Sequence, residues 1–238
     1  MGNELIKVNK EVANIASEIG FDFKSNFEGG AIPRLPQIGI VHQAQMFKEG
    51  EEKFPEFEGY ILHYQRANVY WEKDVSETGG GTAPDCASID GIKPTQGENI
   101  QSDSCLNCPK NQWGSDPKTG KGKACKNIIR MHILRDGDLL PIRLTIPPTS
   151  LKVVDEYMTY LTNKGLPYQI VKTKFSLEPA KGAGMEYSKL KLTAGEFLKN
   201  KEDMLKLKSI IDKFKQSFGE QIESEEYVES KNDDDIAY

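Results

Sequence analysis

Apolar residues repeat along the chain with two different periods, and the switches between them mark out its elements. Leu5, Val8, Val12, Ile15 and Ile19 fall at helical spacing, with Gly20 where a helix would be capped, so the pattern predicts an amphipathic helix over 3–19. An arm rich in Gly, Pro and Phe over 21–36 leads into a strand expected near 37–46. Residues 57–73, FEGYILHYQRANVYWEK, are dense in β-branched and aromatic residues and read as one long strand or a pair. NIIRMHILR (127–135) and LLPIRLTI (139–146) flank Asp136, Gly137 and Asp138, a hairpin pattern. Leu151, Val154, Met158 and Leu161 then share one helical stripe that ends at Asn163-Lys164-Gly165. Strands are expected at 168–178 and 186–193. A last helix at 195–218 carries Phe197, Met204, Leu207, Ile211, Phe214 and Phe218 on one stripe.

The order strand, strand, strand, helix, strand, strand is that of the OB-fold, a small Greek-key barrel often used on oligonucleotides. The expected architecture is mainly β with flanking helices: an OB-fold-like Greek-key barrel over 37–218 with an inserted segment at about 74–126. An N-terminal helix and arm (1–36) precede it. Residues 219–238 follow as an acidic tail whose composition favours disorder.

The inserted segment changes character, with Gly79, Gly80 and Gly81, several prolines and all four cysteines. A fifty-residue stretch of this kind needs something to order it. Cys105 and Cys108 form a C-x2-C pair, with Cys86 and Cys125 eighteen and sixteen residues outside it. Four thiolates close the tetrahedral shell that zinc prefers, and metal binding would then supply folding energy. The expectation is a structural Zn2+ on these four cysteines. Reduced thiols, a redox pair at 105/108, or replacement of one sulfur by His63 or His132 are the alternatives.

The net charge is −5, but it is unevenly spread. Residues 219–238 hold eight acids against Lys231, a charge of −7, so residues 1–218, with 30 Lys and Arg against 28 Asp and Glu, carry +2. The body is mildly basic and the acidity sits in the tail. Strand alternation over 59–72 places Tyr60, Leu62, Tyr64, Arg66, Asn68 and Tyr70 on one face, rings interleaved with a cation. A β-bulge would flip the assignment beyond it. The hairpin adds Arg130, His132, Arg143 and Thr145; the strand at 186–192 adds Tyr187, Lys189 and Lys191. The cysteine segment places Trp113 among Lys110, Lys118, Lys121, Lys123 and Lys126. Rings that stack bases beside cations that guide phosphates are what single-stranded nucleic acid requires. Core packing and solvated lysines are the bland alternatives.

The chain ends Asp233-Asp234-Asp235-Ile236-Ala237-Tyr238. This tip resembles the acidic Asp-Asp-Asp-Ile-Pro-Phe ending of bacterial single-stranded DNA-binding proteins and their phage counterparts, with Ala237 for Pro and Tyr238 for Phe. The resemblance implies single-stranded DNA as ligand. It also implies replication or recombination proteins docking on Asp233, Asp234, Asp235, Ile236 and Tyr238, and host-cell cytoplasm as the location if the protein is phage-encoded. Self-association of the first helix stays open.

Enzymatic motifs are scarce. Gly114–Gly122 looks superficially like a phosphate loop, but one residue too many separates its glycines and Gly122 stands where Ser or Thr should bind magnesium. His42, His63 and His132 are the only histidines and are scattered; no nucleophile elbow, kinase set or dinucleotide fingerprint is present. A binding protein is expected rather than an enzyme, with a zinc-ribbon accessory factor or a strand-annealing mediator as alternative roles. No apolar run reaches membrane-spanning length, and the first residues lack a signal-peptide core, so the cytosol is the expected compartment.

Overall fold

The computed structural model describes residues 18–20, 35–73, 83–182 and 185–224. Nearly all of the helix expected at 3–19 and of the arm, and the acidic tip, lie outside the described residues. The protein is mainly β; the described residues form one curled, half-barrel sheet with two long helices.

Among the described residues nine strands make up the sheet: β1 (Gln37–Val41), β2 (Met46–Glu49), β3 (Glu52–Phe54), β4 (Glu56–Tyr70), β5 (Cys86–Ser88), β6 (Lys126–Leu134), β7 (Ile142–Ile146), β8 (Val171–Gly182) and β9 (Met185–Phe197). Helix α1 (Leu151–Asn163) separates β7 from β8, and α2 (Lys201–Ser224) follows β9. Neighbours run β3-β2-β1-β7-β6-β4-β8-β9, with β5 pairing only the end of β4. All described pairs are antiparallel except β1 with β7, where Gln37 lies opposite Arg143. The single strand expected at 37–46 is broken by a turn at 42–45 containing Gln45 at φ 53°, and β2 follows it. β9 runs on to Phe197, so the last helix starts six residues later than its apolar stripe suggests.

Antiparallel partners share a face, so the register assigns each side chain. Ile61 lies opposite Ile133, Tyr64 opposite Met131, and Ile133, Met131 and Ile129 in turn oppose Ile142, Leu144 and Ile146. These residues join Ile38, Phe47, Phe57, Phe175 and Leu190 in one buried cluster reaching from β1 to β9, so this is the inner face of the curl. Phe57 and Phe175 stack at 4.7 Å with their rings nearly parallel, and Phe47 meets Phe57 edge-on at 4.9 Å. Helix α1 closes the inner face with Val154, Tyr157 and Leu161. Tyr157 satisfies its buried hydroxyl on that of Thr173 at 2.8 Å.

Helix α2 packs on part of the outer face. Leu207 and Phe214 are buried against Leu62, with Leu35, Tyr60, Leu134, Leu198 and Ile211 around them. Leu205 and Ile210 of the same helix are exposed. Among the described residues no helix is long and apolar enough to cross a membrane.

Candidate functional site

The register of β4 shifts between Ile61 and His63, a bulge at Leu62. The extra residue reverses the alternation beyond it. Tyr60 therefore sits on the outer face with His63, Gln65, Ala67, Val69 and Trp71, whereas Tyr64, Arg66, Asn68 and Tyr70 turn to the inner face. The expected row of rings and cation on one face is split in two.

The inner-face half has its own partners. Tyr64 packs on the core and meets Tyr168 edge-on at 5.2 Å. Arg66 is exposed and pairs with Asp155 of α1. Tyr70 is buried, with the Lys110 ammonium 5.1 Å above its ring. Lys189 lies opposite Glu178, and Lys191 approaches the same carboxylate at 3.9 Å. Both belong to the β8–β9 ribbon, beyond the start of β4 and away from the cysteine segment.

At its far end β4 holds that segment. Tyr70 pairs with Cys86 and Asn68 with Ser88. Gly97, at φ +113°, is tied to the turn before β5, since a Cβ there would fall 2.3 Å from the Asp85 carbonyl. Three asparagines knit the rest together. Asn127 Nδ2 donates to Asn68 Oδ1 (2.8 Å) and Asn111 Oδ1 (2.9 Å), Asn111 Nδ2 donates to the Cys105 carbonyl (2.7 Å), and Lys123 Nζ donates to Asn111 and Asn127. Asp116 orders the next turn by accepting from Thr119 Oγ1 and the Lys118 amide, which holds its carboxyl below the usual range although burial alone would raise it.

The four cysteines reach one pocket, shared with Asn68, Tyr70, Lys110 and Asn111. They are nevertheless free thiols, and among the described residues no group of three or more His, Cys, Asp and Glu side chains is placed to hold a metal ion. The zinc expectation is corrected. What orders the segment is the strand pairing and the amide network, with Cys105, Cys108 and Cys125 serving as small buried side chains. Burial pushes the Cys125 thiol up to about 12 and also raises that of Cys86, the other sulfurs adding to both shifts. Neither histidine takes a sulfur's place: His63 and His132 stack 6.1 Å apart on the outer face. Native alkylation at pH 8 should modify the half-exposed Cys86 well before the buried, protonated Cys125. Peptide mass spectrometry reads the order; Cys125 reacting as fast as Cys86 would contradict this burial.

Beside the pocket, rings and cations meet in the open. Trp113 is 79% exposed, with Lys123 Nζ 5.6 Å from its centroid, and Lys121 is exposed nearby. Lys126, opposite Val69, lies 5.9 Å from the Trp71 ring. Each distance is within cation–π range.

The same outer face continues along β6 and β7 as a polar band. His63 opposes His132 and Gln65 opposes Arg130; His132 in turn opposes Arg143 and Arg130 opposes Thr145. Arg130, His132 and Arg143 are all buried. His132 lies against the Phe214 ring of α2 at 5.2 Å. Desolvation, aided by His63, Arg143 and Arg130, depresses its pKa to about 3, and desolvation lowers His63 as well. Among the described residues neither His132 ring nitrogen has a hydrogen-bond partner, nor has Gln65 Nε2. The register of the hairpin puts Arg130, His132 and Arg143 on one face. Asp233, Asp234, Asp235, Ile236 and Tyr238 lie outside the described residues. Comparison with protein-family models, with curated proteins and with solved structures yields no match.

Proposed function

We propose that this protein binds single-stranded DNA without chemically altering it, along the outer face of β6 and β7 and onto the cysteine segment. The carrying observation is that the buried cations of that face, Arg130 and Arg143, continue along it to the Trp71–Lys126 pair at the sheet end, beside the exposed Trp113 ring and its partly buried neighbour Lys123. Aromatic platforms beside cations suit unpaired bases and their phosphates, and they tolerate any sequence because every base has a stacking face.

The topology supports the same reading. The path β7-β6-β4-β8-β9, with α1 between its third and fourth strands in chain order, is what an OB-fold-like barrel would have, apart from β5 and the added strands β1 to β3. In such barrels the face of the second and third strands and the loop after the first are the usual oligonucleotide contacts. Those positions correspond here to β6, β7 and the cysteine segment. The acidic tip, by its likeness to single-stranded DNA-binding proteins, would recruit replication or recombination proteins.

Fluorescence titration of the full chain with dT oligomers across a salt series tests the reading. Trp113→Ala should weaken binding by about 1–3 kcal/mol, as expected for loss of one stacking platform. Lys123→Ala and Lys126→Ala should each reduce the salt slope by about one. Salt-dependent affinity identical in all three folded variants would count against this surface, and no binding of dT by the wild type at low salt would end the proposal.

A further inference from the structure

Helix α2 lies against the stretch of outer face that the proposed function needs free, and among the described side chains two are buried there. It is anchored to the sheet through the buried side chains Leu207 and Phe214, with Ile211 partly buried, while Leu205 and Ile210 face solvent. The ion pairs described for it, Lys206 with Glu202 and Asp203 and Lys208 with Asp212, are internal and contribute nothing to holding it on the sheet.

The surface beneath is unsuited to permanent cover. A helix that seals a sheet for stability alone is best served by an apolar floor, because buried polar groups without partners are destabilising. Only one end of this floor, Leu62 with Tyr60 and Leu134, meets that description. By strand register the same face carries His63, Gln65, Arg130, His132 and Arg143, and His132 lies directly against Phe214 of the helix. Here the fully buried His132 has no hydrogen-bond partner on either ring nitrogen, and Gln65 Nε2 has none either, among the described residues. A floor of imidazole, amide and guanidinium groups fits a polyanion with hydrogen-bonding bases. Phe214 already supplies one part of such a ligand, an aromatic ring laid against His132.

We infer that α2 is a displaceable cover whose Phe214 ring holds a nucleobase position over His132, so that single-stranded DNA and the helix compete for the same strip. The inference rests on the reading of the outer face as the DNA-binding surface. In the open state bases stack where Phe214 lay, phosphates reach Arg130 and Arg143, and Gln65 and His132 gain hydrogen-bonding partners. The apolar side chains of α2 are released to solvent, which makes the free protein prefer the closed form.

Two measurements on the full chain test this. Hydrogen exchange of the wild type with and without saturating dT oligomer should show the amides of 205–215 losing protection while those of 126–134 keep or gain it. Leu207→Ala combined with Phe214→Ala should tighten dT binding about tenfold, and adding His132→Ala and Gln65→Ala should remove the gain. If dT binds but α2 keeps its protection and the double variant binds no more tightly, the cover is refuted while the DNA-binding function stands. If neither the wild type nor the double variant binds dT at low salt, both fall together.

Discussion

Phe175→Ala should lower the free energy of unfolding by about 3–5 kcal/mol, the usual range for removing a ring from a packed core. Phe175 is fully buried and stacks on Phe57, which in turn meets Phe47, so its ring joins the β8 side of the sheet to the β1–β3 side through β4. Little collapse can refill the hole, because its walls are strands fixed by pairing on both sides of β4. Urea denaturation reads the effect as a lower midpoint at unchanged slope. Phe175→Leu, which keeps most of the volume, should lose much less. A shift below about 1 kcal/mol for the alanine variant would mean that the ring cluster does not join the two halves of the sheet.

Acid should destabilise the fold well before the carboxylates titrate. His132 is held neutral, its pKa pushed down to about 3, with burial the first cause and His63, Arg143 and Arg130 the others. In the unfolded chain it titrates near the ordinary value of about 6.5. Below that pH the unfolded state takes up a proton that the folded state refuses, so stability present above about 6.5 is lost as pH falls toward 3, at up to about 1.4 kcal/mol per pH unit for one proton. His63, also lowered by burial, acts in the same direction. Denaturation midpoints between pH 7 and 5 should therefore fall in the wild type. They should fall less steeply in His132→Leu and be nearly flat when His63 is replaced as well. A wild-type profile already flat over that window would show that the imidazole is not buried neutral.

Much of the architecture could be read from the residues alone. The hairpin strands, α1, the long strand β4 and the β8–β9 pair follow from period-2 and period-3.6 patterns, because one face of each element is buried and the other is not. The short strands β3 and β5 escaped notice. Glu52-Lys53-Phe54 has no apolar pattern of its own, and Cys86-Ala87-Ser88 is a strand only because the end of β4 offers it a partner. Likewise Phe197 continues β9 because Val171 stands opposite it, although its spacing with Met204 and Leu207 fits a helical stripe.

The candidate site was legible as residue types and much less as geometry. Spacing identified the four cysteines as neighbours, and they do share a pocket; it offered no way to see that asparagine amides would tie their segment down. The ring-and-cation row on β4 failed at Leu62, because a bulge depends on pairing with β6 and leaves no mark on β4 itself. Arg130, His132 and Arg143 were rightly grouped on one face, but they looked like exposed side chains. They are buried, and a helix that begins more than fifty residues after Arg143 lays Phe214 against His132.

Periodicity and composition were enough to establish a mainly β chain with two helices in its second half, a cysteine-bearing segment and a mildly basic body with an acidic end, since these depend on local pattern and summed charge. Which side of β4 faces the core, how the cysteine segment is held, and which cations meet solvent were settled by contacts between residues far apart in the chain. Burial and strand register are properties of the assembled sheet, and a local pattern carries no record of them.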